Sequence, residues 1–266
     1  MKSKKHSFPR HYECSCGRCF SELKGTILEQ CRLDIVHLFL LLIFIRLKFP
    51  FHCISKMLKI SYKSVYRLGM KIYKNLYTKR EICIFDANNE IDELYISAGK
   101  KGELITERQS RVRGLKLTGR GTYGKDKPPI MGILNRETGL IQLFVCANLF
   151  ITQIEPLIKQ VILAGSTIYT DEYSIYNRLP DWGYVHKTVC HSKKEYARDD
   201  DGDEINEVHC NSVEGLWSLL RPFLQQFRGV NKKNLKYYVN FFEYTHNSDI
   251  LKYSGINMLR DMVKSA

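Results

Sequence analysis

The hydrophobic rhythm of the chain changes near residue 81, and this change limits the available folds more than any other feature. Upstream, Leu33 to Leu47 form one apolar segment, ended by Phe49-Pro50-Phe51 because proline disfavours helix in the residue before it. Ile54 to Leu58 and Ser61 to Leu68 follow as two short helices across a Lys59-Ile60 joint, with Ser61 placed to cap the second. Downstream, short runs of strand formers alternate with turns. Glu90 to Ile96 is one strand. Ile130 to Leu134 and Leu140 to Val145 form a hairpin about Asn135-Arg136-Glu137-Thr138-Gly139. Thr152 to Leu163 is an amphipathic helix with Ile154, Leu157, Ile158, Val161 and Ile162 on one face. Ser166 to Asp171 and Tyr184 to Cys190 are further strands. After an acidic loop, Asp199 to Glu207, a helix begins near Ser212 and runs toward Phe227.

The order strand, hairpin strands, helix, strand, loop and strand, helix predicts an α/β fold, an RNase H-like mixed sheet flanked by helices. The expected division is a cysteine-bearing segment at 1–30, a helical region at 31–80, the α/β core at 81–247 and a tail at 248–266. The two short helices outline a helix-turn-helix, whose second helix would set Tyr62, Lys63 and Arg67 against DNA. A helical bundle with solvated lysines accounts for the same residues equally well.

Three acids fall at telling places in this order: Asp92 within the first strand, Asp171 at the end of the fourth, and Glu214 in the first turn of a late helix. Strand ends and helix starts bring side chains to one sheet edge. Carboxylates gathered there repel one another and suit a hard cation with oxygen ligands, Mg²⁺ or Mn²⁺. Two such ions about 4 Å apart activate an attacking hydroxyl and stabilise the leaving oxygen of a phosphodiester. Arg221 follows Glu214 by two helical turns on the same face, where a cation would grip DNA phosphate. Glu93 and Glu172 adjoin the aspartates but point elsewhere in regular strands. His209 is either a supporting donor or a helix-entry residue, and Trp217 is expected to pack the helix against the sheet.

The stretch His209-Cys210-Asn211-Ser212-Val213-Glu214-Gly215-Leu216-Trp217-Ser218-Leu219-Leu220-Arg221 resembles the H-x-N-x-x-E-G-x-W-S-x-x-K/R motif of Merlin-type DDE transposases and their bacterial insertion-sequence relatives, which carry an ISXO2-like transposase domain. Glu90 to Ile96 is similar to that family's first-Asp strand, and Tyr169-Thr170-Asp171-Glu172-Tyr173 with Tyr176 to its second-Asp block. Gly25-Thr26-Ile27-Leu28-Glu29 is similar to the segment joining the family's zinc ribbon to its helical region. The resemblance implies an integrase core that cleaves and joins element ends by metal-dependent transesterification. By position it makes Asp92, Asp171 and Glu214 the metal-binding triad, with Asn211 as a rival third ligand. It further implies double-stranded DNA partners, both terminal inverted repeats and target, and a homo-oligomer in a synaptic complex. Family members carry two zinc knuckles. Here Cys14, Cys16 and Cys19 supply at most one, with Cys31 as an uncertain fourth ligand, so the reading is a truncated or degenerate ribbon, with Zn²⁺ at this incomplete ribbon as the lesser alternative.

The charge balance points the same way. Forty-one Lys and Arg against twenty-eight Asp and Glu give a formal charge of +13, which favours a polyanionic partner. The cations gather in a 99–127 connector containing Arg111, Arg113, Lys116 and Arg120, and in a late segment with Lys232 and Lys233 among aromatics. The start lacks an apolar leader and the nine cysteines are an odd number, so a secreted disulfide framework is not expected. Ile35 to Ile45 is eleven residues long, well short of the roughly 20 a bilayer requires, and no membrane role is expected. Two alternatives stay open: a transposase-derived DNA-binding protein without catalysis, and a nuclease of the same fold that cuts without joining. The Lys-, Ile-, Asn- and Tyr-rich composition and the missing knuckle point to a eukaryotic, nuclear copy. A bacterial copy would act at the nucleoid.

Overall fold

The computed structural model describes residues 2–3, 11–103, 121–124, 126–190, 195, 197–200, 202 and 206–265. They form two compact units, Met1–Arg80 with Leu251–Ala266, and Glu81–Ile250.

The first unit opens with a small antiparallel ribbon, β1 (Lys2–Ser3), β2 (His11–Glu13) and β3 (Cys19–Ser21). Three helices follow, α1 (Ile35–Arg46), α2 (Phe51–Leu58) and α3 (Tyr62–Thr78). Asp34 starts α1 by accepting the Val36 and His37 N–H groups on Oδ1, each at 3.0 Å. Between α2 and α3 the chain turns through Lys59 in the left-handed region (φ 54°), and Ser61 Oγ then accepts the Ser64 N–H at 3.2 Å. The helix continues well past Leu68 because Gly69 gives close approach rather than a break. A Cβ there would lie 2.4 Å from Phe51 Cε1, so the bare Cα is what lets α2 and α3 meet.

The C-terminal residues are not a tail. Helix α7 (Gly255–Val263) buries Met258 and Met262 and packs on α1 and α3. Asn75, buried in α3, donates Nδ2 to the Lys264 carbonyl at 2.8 Å, and Ile27 N–H donates to Val263 O at 3.1 Å. Such contacts between distant segments carry no local sequence signal. Among the described residues no helix is long and apolar enough to cross a membrane.

The second unit is built on a five-stranded mixed sheet of β4 (Asn88–Tyr95), β5 (Pro129–Asn135), β6 (Ile141–Val145), β7 (Thr167–Thr170) and β8 (Val185–Thr188). The strand order is β6-β5-β4-β7-β8; the first three pair antiparallel, while β7 and β8 join parallel. Helix α4 (Ile151–Val161) makes the crossover from β6 to β7. Its Ile154, Ile158 and Val161 pack on Ile91, Met131, Ile133 and Ile168 of the sheet. Every residue of β5 is buried, as expected of a strand covered on both faces. Past a short hairpin, β9 (Ala197–Arg198) with β10 (Val208–His209), helix α5 (Asn211–Gln225) packs against β4 and β5, and α6 (Leu235–Ile250) lies along β6.

This topology fits an RNase H-like core. The β6 edge is closed by α6 side chains. Asn247 accepts the Ile141 N–H at 3.0 Å and donates to its carbonyl at 2.9 Å, and the buried Glu243 accepts the Leu143 N–H at 2.5 Å.

Candidate active site

Asp92 lies mid-strand in β4, directly opposite Gly132 in β5. The pleat sends residue 92 to the face away from Ile91 and Glu93, toward α5. Gly132 leaves room there for the Trp217 ring, since a Cβ at that position would stand 2.4 Å from Cη2. Trp217 Nε1 donates to Asp92 Oδ2 at 2.7 Å. Trp217 therefore packs the helix on the sheet, as expected, and also holds a carboxylate.

Burial pushes the Asp92 carboxyl up from its ordinary 3.8 to about 6; the Trp217 hydrogen bond opposes the rise, and the charges of Asp171 and Glu214 add to it. Asp171 follows the last residue of β7, and its Oδ1 accepts the Tyr173 N–H at 3.0 Å. Glu214 stands in the first turn of α5 and is exposed. Asn211, one turn earlier, and Arg221, two turns later, are also exposed on this helix. The three acids are thus electrostatic neighbours. Among the described residues, however, no three His, Cys, Asp or Glu side chains converge as a ready metal cage.

Beside these acids lies a buried polar network in which the sequence singled out only His209 as a candidate. Glu90, two residues before Asp92, is fully buried. Its Oε1 accepts Arg136 Nε at 2.7 Å, and its Oε2 accepts the Val213 N–H in the first turn of α5 at 2.9 Å. Arg136 also donates Nη1 to Glu207 O at 2.7 Å and Nη2 to His209 O at 2.5 Å, and its guanidinium lies 3.7 Å from the Tyr169 ring centre. His209 Nδ1 faces two donors, Arg136 Nη2 at 3.1 Å and the Asn211 N–H at 3.3 Å. The same nitrogen lies 3.4 Å from Glu90 Oε1; burial together with the Arg136 charge holds His209 below its ordinary value, opposed by the Glu90 charge. The one available signal was Glu90 itself: it shares the inward face with Asp92, and a buried acid demands a partner.

The remaining sequence-based candidates divide. Lys63 and Arg67 are exposed one turn apart on α3. Lys232 is not a free DNA-facing cation. It is nearly buried, pairs with Asp126 at 3.0 Å, donates to Tyr123 O at 3.0 Å and lies over the Tyr123 ring. Lys233 is exposed but engaged, pairing with Glu103 at 3.0 Å. Arg111, Arg113, Lys116 and Arg120 lie outside the described residues. Glu93 accepts the Tyr176 hydroxyl, and Glu172 accepts the Cys190 thiol at 2.6 Å. Cys14 and Cys16 lie on a turn closed by Cys14 N–H to Arg18 O and Gly17 N–H to Cys14 O, both 2.9 Å, and Cys19 opens β3 directly after it. All three are free thiols, as is Cys31. Hydrogen bonding from the Cys16 backbone and thiol draws Cys14 below the ordinary thiol value.

A mixed sheet with one aspartate on a strand, a second directly after the adjoining parallel strand and a glutamate opening a later helix has the plan of a DDE-type transposase core. The ISXO2-like transposase domain matches residues 88–247, and the chain belongs to that family. It is 30% identical to an uncharacterized protein in transposable element ISH50 of Halobacterium salinarum, over 97% of this chain and 85% of that protein. It is 26% identical to an uncharacterized transposase-like protein of Haemophilus influenzae, over 42% of this chain and 83% of that protein. A solved pre-cleavage Mos1 transpososome is matched over 76% of this chain and 73% of that one, at 8% identity. Its TM-score of 0.24 is too low to add to the topology itself.

Proposed function

We propose that this transposase binds the DNA ends of its element and catalyses their metal-dependent cleavage and strand transfer, with Asp92, Asp171 and Glu214 as the catalytic carboxylates. The observation that carries this reading is the placement of half-buried Asp92 on β4, Asp171 at the end of the adjoining β7 and Glu214 in the first turn of α5, near enough for the last two charges to act on Asp92. Three carboxylates gathered from two strands and a helix fit a divalent cation by donor type and charge, Mg²⁺ or Mn²⁺. When bound, such ions polarise the phosphodiester and lower the pKa of the attacking hydroxyl. Asp92 and Asp171 would hold them from the sheet, each steadied by an N–H donor, and Glu214 from the helix, with Asn211 one turn away as the alternative. Arg221 extends this helix face toward phosphate, and Lys63 and Arg67 on α3 supply duplex contacts. Joining two ends requires two copies, so the working form is a homo-oligomer on DNA. It acts wherever the element's DNA lies, in nucleus or nucleoid.

The test incubates purified full-length protein with Mn²⁺ or Mg²⁺ and DNA carrying the element's terminal inverted repeats. Nicked and joined strands are expected, and Asp92→Ala, Asp171→Ala and Glu214→Ala should each abolish both. An inert wild type, or full activity in Asp92→Ala, would refute the catalytic reading. Cut but unjoined products would mark a nuclease instead. Salt-dependent binding without cleavage, indifferent to Asp171→Ala, would mark a binding protein.

A further inference from the structure

We infer that Glu90 and Arg136 are positioning residues that hold the three elements of the carboxylate site in register. The inference rests on the metal-site reading above and concerns how that site is assembled. Each proposed ligand lies within two residues of an atom the pair engages. Asp92 follows Glu90 by two positions on the same face of β4, Asp171 follows Tyr169 by two, and Glu214 directly follows Val213.

The contacts are suited to this task. Glu90 divides its two oxygens between Arg136 and the first turn of α5, so one carboxylate ties β4 to the helix that carries Glu214. The Arg136 fork is fixed from three further directions, by the Glu207 and His209 carbonyls on the approach to α5 and by the Tyr169 ring on β7. A planar, delocalised cation can stack and donate in plane at once, which a lysine ammonium cannot. Helix α5 cannot slide along its axis without breaking the Glu90 bond, and β10 cannot leave without breaking those of Arg136. The pair lies outside the apolar cluster beneath α4, on the α5 side of the sheet. Because Glu90 is fully buried, altering the pair also costs stability, so metal affinity is compared where each variant is fully folded.

Groups that orient metal ligands without touching the metal typically change metal affinity by about 10–100-fold when altered. The test measures Mn²⁺ binding to the DNA-free full-length protein by electron paramagnetic resonance, alongside thermal unfolding. Glu90→Gln and Arg136→Lys keep the size and most of the polarity of their sites. Both should still melt cooperatively, at a lower Tm because a buried pair is disturbed, yet bind Mn²⁺ at least about 10-fold more weakly at temperatures where they are fully folded. Arg136→Met should lose at least as much affinity. Wild-type Mn²⁺ affinity in Arg136→Lys and Glu90→Gln would overturn the inference, and so would loss of affinity only in variants that also lose the cooperative melt. If wild-type binding is absent, or unaffected by Asp92→Ala, the metal-site reading falls and takes this one with it. If Asp92→Ala abolishes binding that the Arg136 and Glu90 variants keep, only the positioning role falls.

Discussion

Asp92→Asn tests the electrostatics of the site apart from its chemistry. Folding raises this carboxyl from 3.8 to about 6, so the native state binds its proton more tightly than the unfolded chain. Below about pH 4 both states are protonated and the shift contributes nothing. Between 3.8 and 6 the unfolded chain releases the proton first, so stability falls as pH rises, and above pH 6 the full penalty applies. At about 1.36 kcal/mol per pH unit, the ionised Asp92 costs the metal-free core about 3 kcal/mol. Asparagine keeps an oxygen for the Trp217 N–H and removes the charge, while losing the second acceptor that the Glu93 N–H engages. The stability of the variant relative to the wild type should therefore rise between pH 3.5 and pH 7.5 by up to about 3 kcal/mol. For a unit of this size that shifts the difference in Tm by up to roughly 6–12 °C. Both tryptophans, Trp182 and Trp217, lie in the α/β unit, so their fluorescence follows this unit's unfolding. Adding Mn²⁺ should raise the wild-type Tm and leave Asp92→Asn little changed. A difference that does not vary with pH, or that moves against the variant as pH rises, would refute the reasoning.

Gly132→Ala drives a methyl into Trp217 and should cost about 1–3 kcal/mol in urea unfolding while impairing cleavage, because the displaced ring also releases Asp92. Wild-type stability and activity would contradict the contact. Arg221→Ala should weaken DNA binding and lower the slope of log affinity against log salt by about one, whereas Lys232→Ala, which removes a cation already paired with Asp126, should leave that slope unchanged. Fluorescence anisotropy across a salt series distinguishes them; a reduced slope in Lys232→Ala alone would reverse the assignment.

What the sequence made legible was what repeats locally. The hairpin about Asn135 to Gly139, the amphipathic stretch from Thr152 and the helix opening near Ser212 all carry period-two or period-3.6 patterns, and the structure has an element at each. Ser61 was recognisable as a cap because capping chemistry is local. The network around Glu90 was not, since its partners lie 46 and 123 positions away in the chain. Lys232 looks like a free cation in sequence because its partner Asp126 belongs to another loop. The helical character of the region up to about residue 77 was legible, but the close approach that makes Gly69 necessary was not, because Phe51 meets it only in three dimensions. The acids themselves were legible through their motif, but the burial that raises Asp92 was not.

The seating of α7 among the N-terminal helices has a consequence for how the molecule is made. The helical unit takes segments from either side of the α/β unit in the chain, one ending at Arg80 and one starting at Leu251, so the second is made only after the whole α/β unit. At roughly 5–20 residues per second, α1 to α3 wait on the order of ten seconds for the segment that covers them. During that interval Asn75 lacks the Lys264 carbonyl and the seats of Met258 and Met262 are empty, so the helices made first are completed last. A message cut short anywhere before residue 251 would yield a helical unit that cannot close, however well the rest of the product folds.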